Sequence, residues 1–350
     1  MMKVGDLFAG VGGMSQGFKM AGNFDISFAV EFEKDIAASY EKNHIGTDVY
    51  AMDIRDIDVK ELHKRHPNID VIIGGPPCQG FSQKGKRLSI DDSRNFLFQQ
   101  FVRFVKEFKP KYFVLENVPA IITTANGFFK EQIINAFQQI GYDVTCGVLC
   151  AADFGVPQDR RRAVFIGQLG KLEIELPKPT NKRVSIKEAI YDLPFIASGE
   201  GLEEGTYDKA PDSDYQKMMR GDCKTLYNHT ATKHNALALN RLAMIPKGAG
   251  KEVLPPEERT KSIYSGTWSR MIEDDISVTI TTRYDTPSSG RFTHPILDRC
   301  ITTREAARIQ SFPDSFRFYG SKTCQMKQVG NAVPPLLAKA IAEQIKNNEL

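Results

Sequence analysis

No stretch of the 350-residue chain approaches eighteen consecutive apolar residues, which removes a helical membrane span from consideration. Met1-Met2-Lys3 runs straight into Val4-Gly5-Asp6-Leu7, so no signal peptide is expected and the reading is cytoplasmic. Cysteine is scarce. The six, at 78, 146, 150, 223, 300 and 324, lack the short regular spacing of a disulfide framework or a zinc ribbon, and free thiols are expected. Cys146 and Cys150 lie in an alternating stretch and read as core packing. The six histidines form no His-Glu-x-x-His or comparable ligand set, so no metal is expected, and His63 with His66 reads as a solvated helix end. Charge of one sign is also lacking: 46 basic against 43 acidic residues leave +3, which neither demands nor excludes a nucleic-acid partner. Local basic clusters do occur at Lys84-Lys86-Arg87, Arg160-Arg161-Arg162 and Lys182-Arg183. There is no internal repeat and no low-complexity tail. A chain 41% hydrophobic and 25% charged is ordinary globular protein, long enough for one large domain with a smaller companion.

The first half alternates short apolar runs with amphipathic stretches, the pattern of β-α-β units and a mostly parallel, doubly wound α/β sheet. Strands are predicted over Val4 to Phe8, Ile26 to Val30, Val71 to Ile73, Tyr112 to Leu115, Val144 to Leu149 and Ala163 to Gly167. Leu97, Phe101, Phe104, Val105 and Phe108 recur at helical spacing, and Phe128 to Ile140 predicts a second helix closed by Gly141. From Pro177 the composition shifts towards Pro, Lys and Glu. A second domain over 178–318 is therefore expected, with the first spanning 1–177 and completed by 319–350. Within the second, Ser277 to Tyr284 reads as a strand and Arg304 to Ile309 as a helix; a terminal helix follows over Leu336 to Ile345.

Chemistry concentrates at predicted strand ends. Gly74-Gly75-Pro76-Pro77-Cys78-Gln79-Gly80-Phe81-Ser82 holds a cysteine behind two stiff prolines and ahead of a flexible segment. Taken alone, that pattern is equally open to a nucleophile and to a buried or tight-turn thiol. The first strand runs into Phe8-Ala9-Gly10-Val11-Gly12-Gly13, where three glycines let a ligand approach the backbone at a helix N-terminus. Such a loop would equally serve a nicotinamide or flavin nucleotide. Glu31 closes the second strand, where a ribose-binding carboxylate is expected; Asp53 follows a third extended run, placed to accept from an adenine amino group; both otherwise read as solvated strand-end carboxylates. Glu116-Asn117-Val118-Pro119 ends the fourth strand with another carboxylate. In Gln158-Asp159-Arg160-Arg161-Arg162, alternation would send Arg160 and Arg162 to one side and Arg161 to the other.

Together these segments resemble the DNA (cytosine-5) methyltransferases, enzymes of the kind found in bacterial and phage restriction-modification systems. Asp6-Leu7-Phe8-Ala9-Gly10-x-Gly12-Gly13 is similar to the methyl-donor loop, Pro76-Pro77-Cys78-Gln79 to the nucleophile motif and Glu116-Asn117-Val118 to the glutamate motif. Gln158-x-Arg160-x-Arg162, Arg304 to Pro313 and Gly330-Asn331-Ala332-Val333-Pro334 follow in the family's order, so the match covers nearly the whole chain.

The resemblance implies an S-adenosylmethionine-dependent Rossmann-like domain and a smaller target-recognition domain, with no metal. It implies Cys78, Glu116, Arg160 and Arg162 as catalytic residues. Donor binding would fall to Phe8, Ala9, Gly10, Gly12, Gly13, Glu31, Phe32, Asp53, Pro77, Leu97 and Asn331. The partner would be double-stranded DNA, with the target cytosine flipped out of the helix. Ser82, Lys84, Lys86, Arg87 and Arg94 would meet it from a closing loop, and Arg270, Thr279 and Arg283 from the recognition domain; either arginine could instead only grip phosphate. Monomeric action is expected, with a cognate restriction endonuclease acting on the same site as a possible companion. The rival readings are a tRNA cytosine-5 methyltransferase and a noncatalytic DNA-binding regulator; intact Cys78, Glu116, Arg160 and Arg162 argue against the second.

Overall fold

A computed structural model of the protein describes residues 1–77, 96–171, 173–180, 182–260 and 265–349. The chain divides into two compact units. The first comprises Met1–Phe154, Arg161–Thr180 and Val333–Leu350, and the second Gly155–Arg160 and Asn181–Ala332.

The first unit is built on a seven-stranded sheet of β1 (Met2–Leu7), β2 (Phe24–Val30), β3 (Asp48–Tyr50), β4 (Val71–Gly74), β5 (Tyr112–Asn117), β6 (Tyr142–Cys150) and β8 (Arg161–Leu169), in the order β3-β2-β1-β4-β5-β8-β6. The first five are parallel, and β8 runs antiparallel to both β5 and β6. This is the mostly parallel α/β sheet the sequence predicts. The run Val71-Ile72-Ile73 is wholly buried, as a central parallel strand covered on both faces requires. Helices α1 (Gly13–Ala21), α2 (Lys34–Asn43), α3 (Val59–Arg65), α4 (Phe96–Phe108), α5 (Ala120–Thr123) and α6 (Phe128–Gln138) connect the strands. Phe101, Phe104, Val105 and Phe108 of α4 join Ile133 and Phe137 of α6 and the strand residues Leu7, Ile72, Phe113 and Leu115 in one core. Phe113 and Phe137 stack with centroids 3.8 Å apart. The last helix, α12 (Pro335–Asn347), packs against α1. One expectation fails here: His66 is buried, with Nε2 3.0 Å from Tyr50 Oη, because the chain turns inward after α3.

The second unit has little regular structure. It contains short helices α7 (Ile186–Ile190), α8 (Asp214–Arg220), α9 (Ala236–Ala243), α10 (Thr303–Ile309) and α11 (Lys322–Asn331), the antiparallel pair β9 (Gly201–Gly205) and β10 (Leu226–Thr230), and the two-residue parallel pair β7 (Gln158–Asp159) and β11 (Ser277–Val278). Side chains take the place of a sheet in satisfying its backbone. Arg299, Arg304 and Arg308 are fully buried; Arg304 donates to the carbonyls of Tyr227, Pro313 and Phe316, and Arg308 is clamped between Asp192 and Asp314. The predicted strand over Ser277 to Tyr284 stops after Val278 for the same reason. Beyond it, the Ile280 amide donates to Gln158 Oε1 and the Ile280 carbonyl accepts from Arg160, so no neighbouring strand is needed.

Candidate active site at the carboxyl edge of the sheet

Because β1 to β5 are parallel, the segments that follow them emerge at one edge, and the strand order reverses direction between β1 and β4. Ligands of open α/β sheets bind at such a switch point. The segment after β1 is held in an unusual backbone: Phe8, Gly10 and Gly12 all lie at positive φ, at 56°, 55° and 90°. Phe8 is the informative member, since a bulky residue adopts this region only when its surroundings impose it. Among the described residues, a Cβ on Gly10 would meet nothing within 4 Å, whereas one on Gly12 would fall 2.2 Å from His44 Nε2. One side of the loop is thus closed by packing and the other is free for a ligand.

Glu31, just past β2, binds this loop through its carboxylate, which accepts from the amides of Gly10 and Glu33 at 2.8 Å each. Phe32 beside it is 67% exposed, a large aromatic face with no core role. Asp53 accepts from the backbone and guanidinium of Arg55, which pulls its carboxyl below the usual range. Oδ2 accepts from Arg55 Nη2, and an ionised carboxylate oxygen can accept a second hydrogen bond. Ala9 and Gly13 complete the loop and begin α1.

Sequence reasoning missed what lies beneath. Asp6 is 1% exposed; Ser15 Oγ donates to its Oδ2 at 2.6 Å and sits 2.8 Å from Tyr40 Oη. Burial pushes the Asp6 carboxyl up to about 7, opposed by the Ser15 hydrogen bond and assisted by the Glu31 charge. A carboxylate two residues before a glycine loop, with a serine nine residues on, was the only available signal.

The second cluster forms where β4 and β5 end. Asn117 Nδ2 donates to the Pro76 carbonyl at 2.9 Å, and Asn117 Oδ1 accepts from the Val118 amide, so the root of the Pro76-Pro77 turn is tied to the end of β5. A Cβ on Gly75 would lie 3.0 Å from Glu116 Oε2, so the turn passes close to that carboxylate and a side chain there would press on it. Antiparallel pairing sets Ala163 opposite Asn117, which brings Arg162 to the same edge. Its Nε lies 2.7 Å from Glu116 Oε1, with both side chains about 15% exposed or less. Cys78 lies outside the described residues, as do Ser82, Lys84, Lys86, Arg87 and Arg94. Pro77 is exposed at the end of the described turn, and Leu97 packs half-buried onto the sheet core.

Arg160, at the turn between β7 and β8, belongs to the second unit and is 2% exposed, with Nη1 and Nη2 donating to the carbonyls of Ile280 and Gly330. Asn331 is exposed at the end of α11. Of the expected DNA readers, Arg270 must be withdrawn. Its Nε and both terminal nitrogens donate to the carbonyls of Leu242, Ile245, His294 and Leu297 and to Asp298, which occupies all five of its N–H groups. Arg283 is 62% exposed and paired only loosely with Asp285, and Thr279 Oγ1 donates to the Asp159 carbonyl at 2.6 Å. No group of His, Cys, Asp and Glu able to hold a metal exists among the described residues, and no described helix is long and apolar enough to cross a membrane.

Residues 2–347 match the family model of the C-5 cytosine-specific DNA methylases. The chain is 40% identical, over 98% of its length, to the type II methyltransferase M.DdeI of Desulfomicrobium norvegicum and covers 88% of that protein. It is 39% identical, over 97% of its length, to M1.HphI of Haemophilus parahaemolyticus, covering 85% of it. A solved E. coli structure, described as a DNA modification methyltransferase encoded within a prophage, superposes over 99% of both chains at 30% identity with a TM-score of 0.81. A DNMT2 structure from Spodoptera frugiperda, 18% identical with a TM-score of 0.64, shares the fold.

Proposed function

Since the chain belongs to the C-5 cytosine-specific DNA methylases and is a DNA (cytosine-5)-methyltransferase, we propose that it methylates a flipped-out cytosine within a specific duplex sequence through a covalent Cys78 adduct, using S-adenosylmethionine. The observation that carries this reading is the Glu116–Arg162 pair, set beside a turn that Asn117 anchors two residues before Cys78.

The chemistry starts from the inertness of cytosine C5. Addition of a thiolate to C6 breaks the ring's conjugation and makes C5 nucleophilic, which splits one hard step into easier ones. Cys78, two residues after Pro76 in sequence, is the nucleophile. Glu116 binds the N3 and exocyclic amino edge of the base and shares a proton with N3 as charge builds in the ring. Arg162 fixes the Glu116 carboxylate and supplies a positive field that favours the thiolate. Arg160, in the family's motif but turned into the second unit, is a positioning residue that holds the backbone at Ile280 and Gly330. Once C5 carries the methyl group, its proton passes to water or a base and Cys78 leaves by elimination.

The first unit fits the methyl donor. The open face over Gly10, the backbone of Phe8, Ala9, Gly12 and Gly13, the Glu31 carboxylate for ribose hydroxyls, the exposed Phe32 ring for adenine and Asp53 for its amino group form one cradle. Pro77, Leu97 and Asn331 are further contacts by family resemblance. When bound, S-adenosylmethionine supplies a methyl carbon on a sulfonium centre and departs as S-adenosylhomocysteine. The second unit would select the target sequence, with Thr279 and Arg283 as readers, and Ser82, Lys84, Lys86, Arg87 and Arg94 would grip the DNA. A restriction-modification setting, with a cognate endonuclease and a monomeric enzyme, completes the reading.

The test is transfer of labelled methyl from S-adenosylmethionine to unmethylated duplex DNA and, separately, to tRNA, for the protein and for Cys78→Ser. Label in DNA as 5-methylcytosine, abolished in the variant, together with covalent trapping on 5-fluorocytosine DNA, is the expected result. Label confined to tRNA, or a variant as active as the parent, overturns it.

A further inference from the structure

Most arginines in the second unit are spent on the fold. Arg270, Arg299, Arg304 and Arg308 donate to buried carbonyls and carboxylates, and Arg220 and Arg317 are ion-paired. Arg291 differs. Its side chain makes no hydrogen bond or ion pair with any described residue, although it is half-buried. The local backbone explains how. Phe292 is 2% exposed and its carbonyl accepts from the Ile301 amide, which fixes the backbone here, while Arg291 stands at the bend before it and lines open space.

Arg291 borders a cleft of about 510 Å³, whose walls include Thr279, Val278, Ile272, Asp275 and Asp159. Three features of this cleft point to one kind of ligand. An uncommitted guanidinium supplies a planar fork of donors, and two carboxylates share the same wall as acceptors. Ile272 and Val278 are 38% and 41% exposed, giving the cleft an apolar rim. A phosphate site would not carry two carboxylates, because each would repel the ligand. A base pair read at its groove edge calls for this mixture: arginine donates to guanine O6 and N7, a carboxylate accepts from cytosine N4, and apolar side chains lie against the base edges.

We propose that Arg291 and the cleft it borders read a G·C pair in the target duplex, Arg291 taking the guanine and the Asp159–Asp275 wall the cytosine. This rests on the DNA-methylation reading above. It places the recognition arginine eight residues beyond Arg283 and on the same cleft as Thr279.

The experiment compares the full-length protein with Arg291→Ala, Arg291→Lys and Arg291→Gln in methyl transfer to a duplex library randomised around its mapped site, and in binding at several salt concentrations. Loss of a bidentate guanine contact should lower discrimination at one G·C position by roughly 5- to 150-fold while other positions keep their preference. Arg291→Gln should shift that position towards adenine, since glutamine pairs with adenine N6 and N7. Unchanged preference in all three variants overturns the inference. So does uniform weakening across sequences with a salt slope reduced by about one, the behaviour of a phosphate contact. If the unmodified protein methylates no duplex DNA, it is the underlying reading that fails. Arg291→Lys keeps the aliphatic stem and charge, so altered preference in it cannot be ascribed to misfolding.

Discussion

Replacing Asp6 with asparagine removes a titration directly beneath the glycine loop proposed to hold the methyl donor. Asp6 is 1% exposed and hydrogen-bonded to Ser15, and burial lifts its carboxyl from 3.8 to about 7. The folded protein therefore binds this proton more tightly than the unfolded chain does. The stabilising contribution is complete below about pH 4 and disappears as the pH climbs to about 7. Three pH units at about 1.4 kcal/mol each make the loss roughly 4 kcal/mol across that window. Asparagine keeps an oxygen to accept the Ser15 hydroxyl and carries no charge at any pH, so its stability should be flat where that of the parent falls. Urea denaturation of both proteins from pH 4 to 8 reads the difference, which should grow in favour of Asp6→Asn as the pH rises. Ionised Asp6 also repels Glu31, whose carboxylate holds the Gly10 amide. Affinity for S-adenosylmethionine should accordingly weaken above pH 7 in the parent and not in the variant. Parallel pH profiles for the two proteins, in stability and in donor binding, would refute the reasoning.

Glu116→Gln should retain duplex binding and lose transfer by about 10²- to 10⁴-fold, the contribution of a positioned acid–base group, in single-turnover assays; a rate within threefold of the parent would remove Glu116 from the chemistry. Arg270→Ala strips Asp298 and four carbonyls of a buried partner and should cost about 3 kcal/mol of stability by denaturant titration. The same variant should keep the parent's sequence preference when assayed in the cold, and relaxed preference there would restore Arg270 as a reader.

The parallel half of the sheet is legible in the sequence because its strands are continuous apolar runs separated by amphipathic helices, and Val71-Ile72-Ile73 or Leu97 to Phe108 admit little else. The donor-loop and glutamate segments are legible for a related reason: they stand at strand ends, where a change from apolar to Gly, Glu or Asp marks the edge of the sheet. The second unit is not legible in this way. Its backbone is satisfied by arginine and glutamine side chains from distant segments, as at Ile280, and no local periodicity records a partner 120 residues away. Arg270 shows the cost of that blindness. An arginine in the run Trp268-Ser269-Arg270 looks in sequence like a group free to reach a ligand, and only tertiary structure shows five carbonyl and carboxylate partners around it.

The order of segments in the first unit has a consequence for synthesis. Helix α1, which begins at the donor loop, packs against α12, and Lys346 donates to the Ala21 carbonyl at 3.1 Å. The ribosome delivers α1 well before α12, with Asn181–Ala332 made in between. At roughly 5–20 residues per second, the early helix waits on the order of fifteen to sixty-five seconds for its partner. During that interval the nascent chain holds a glycine loop whose supporting helix is still bare. Competence to bind the methyl donor should therefore arrive abruptly, once α12 has left the exit tunnel.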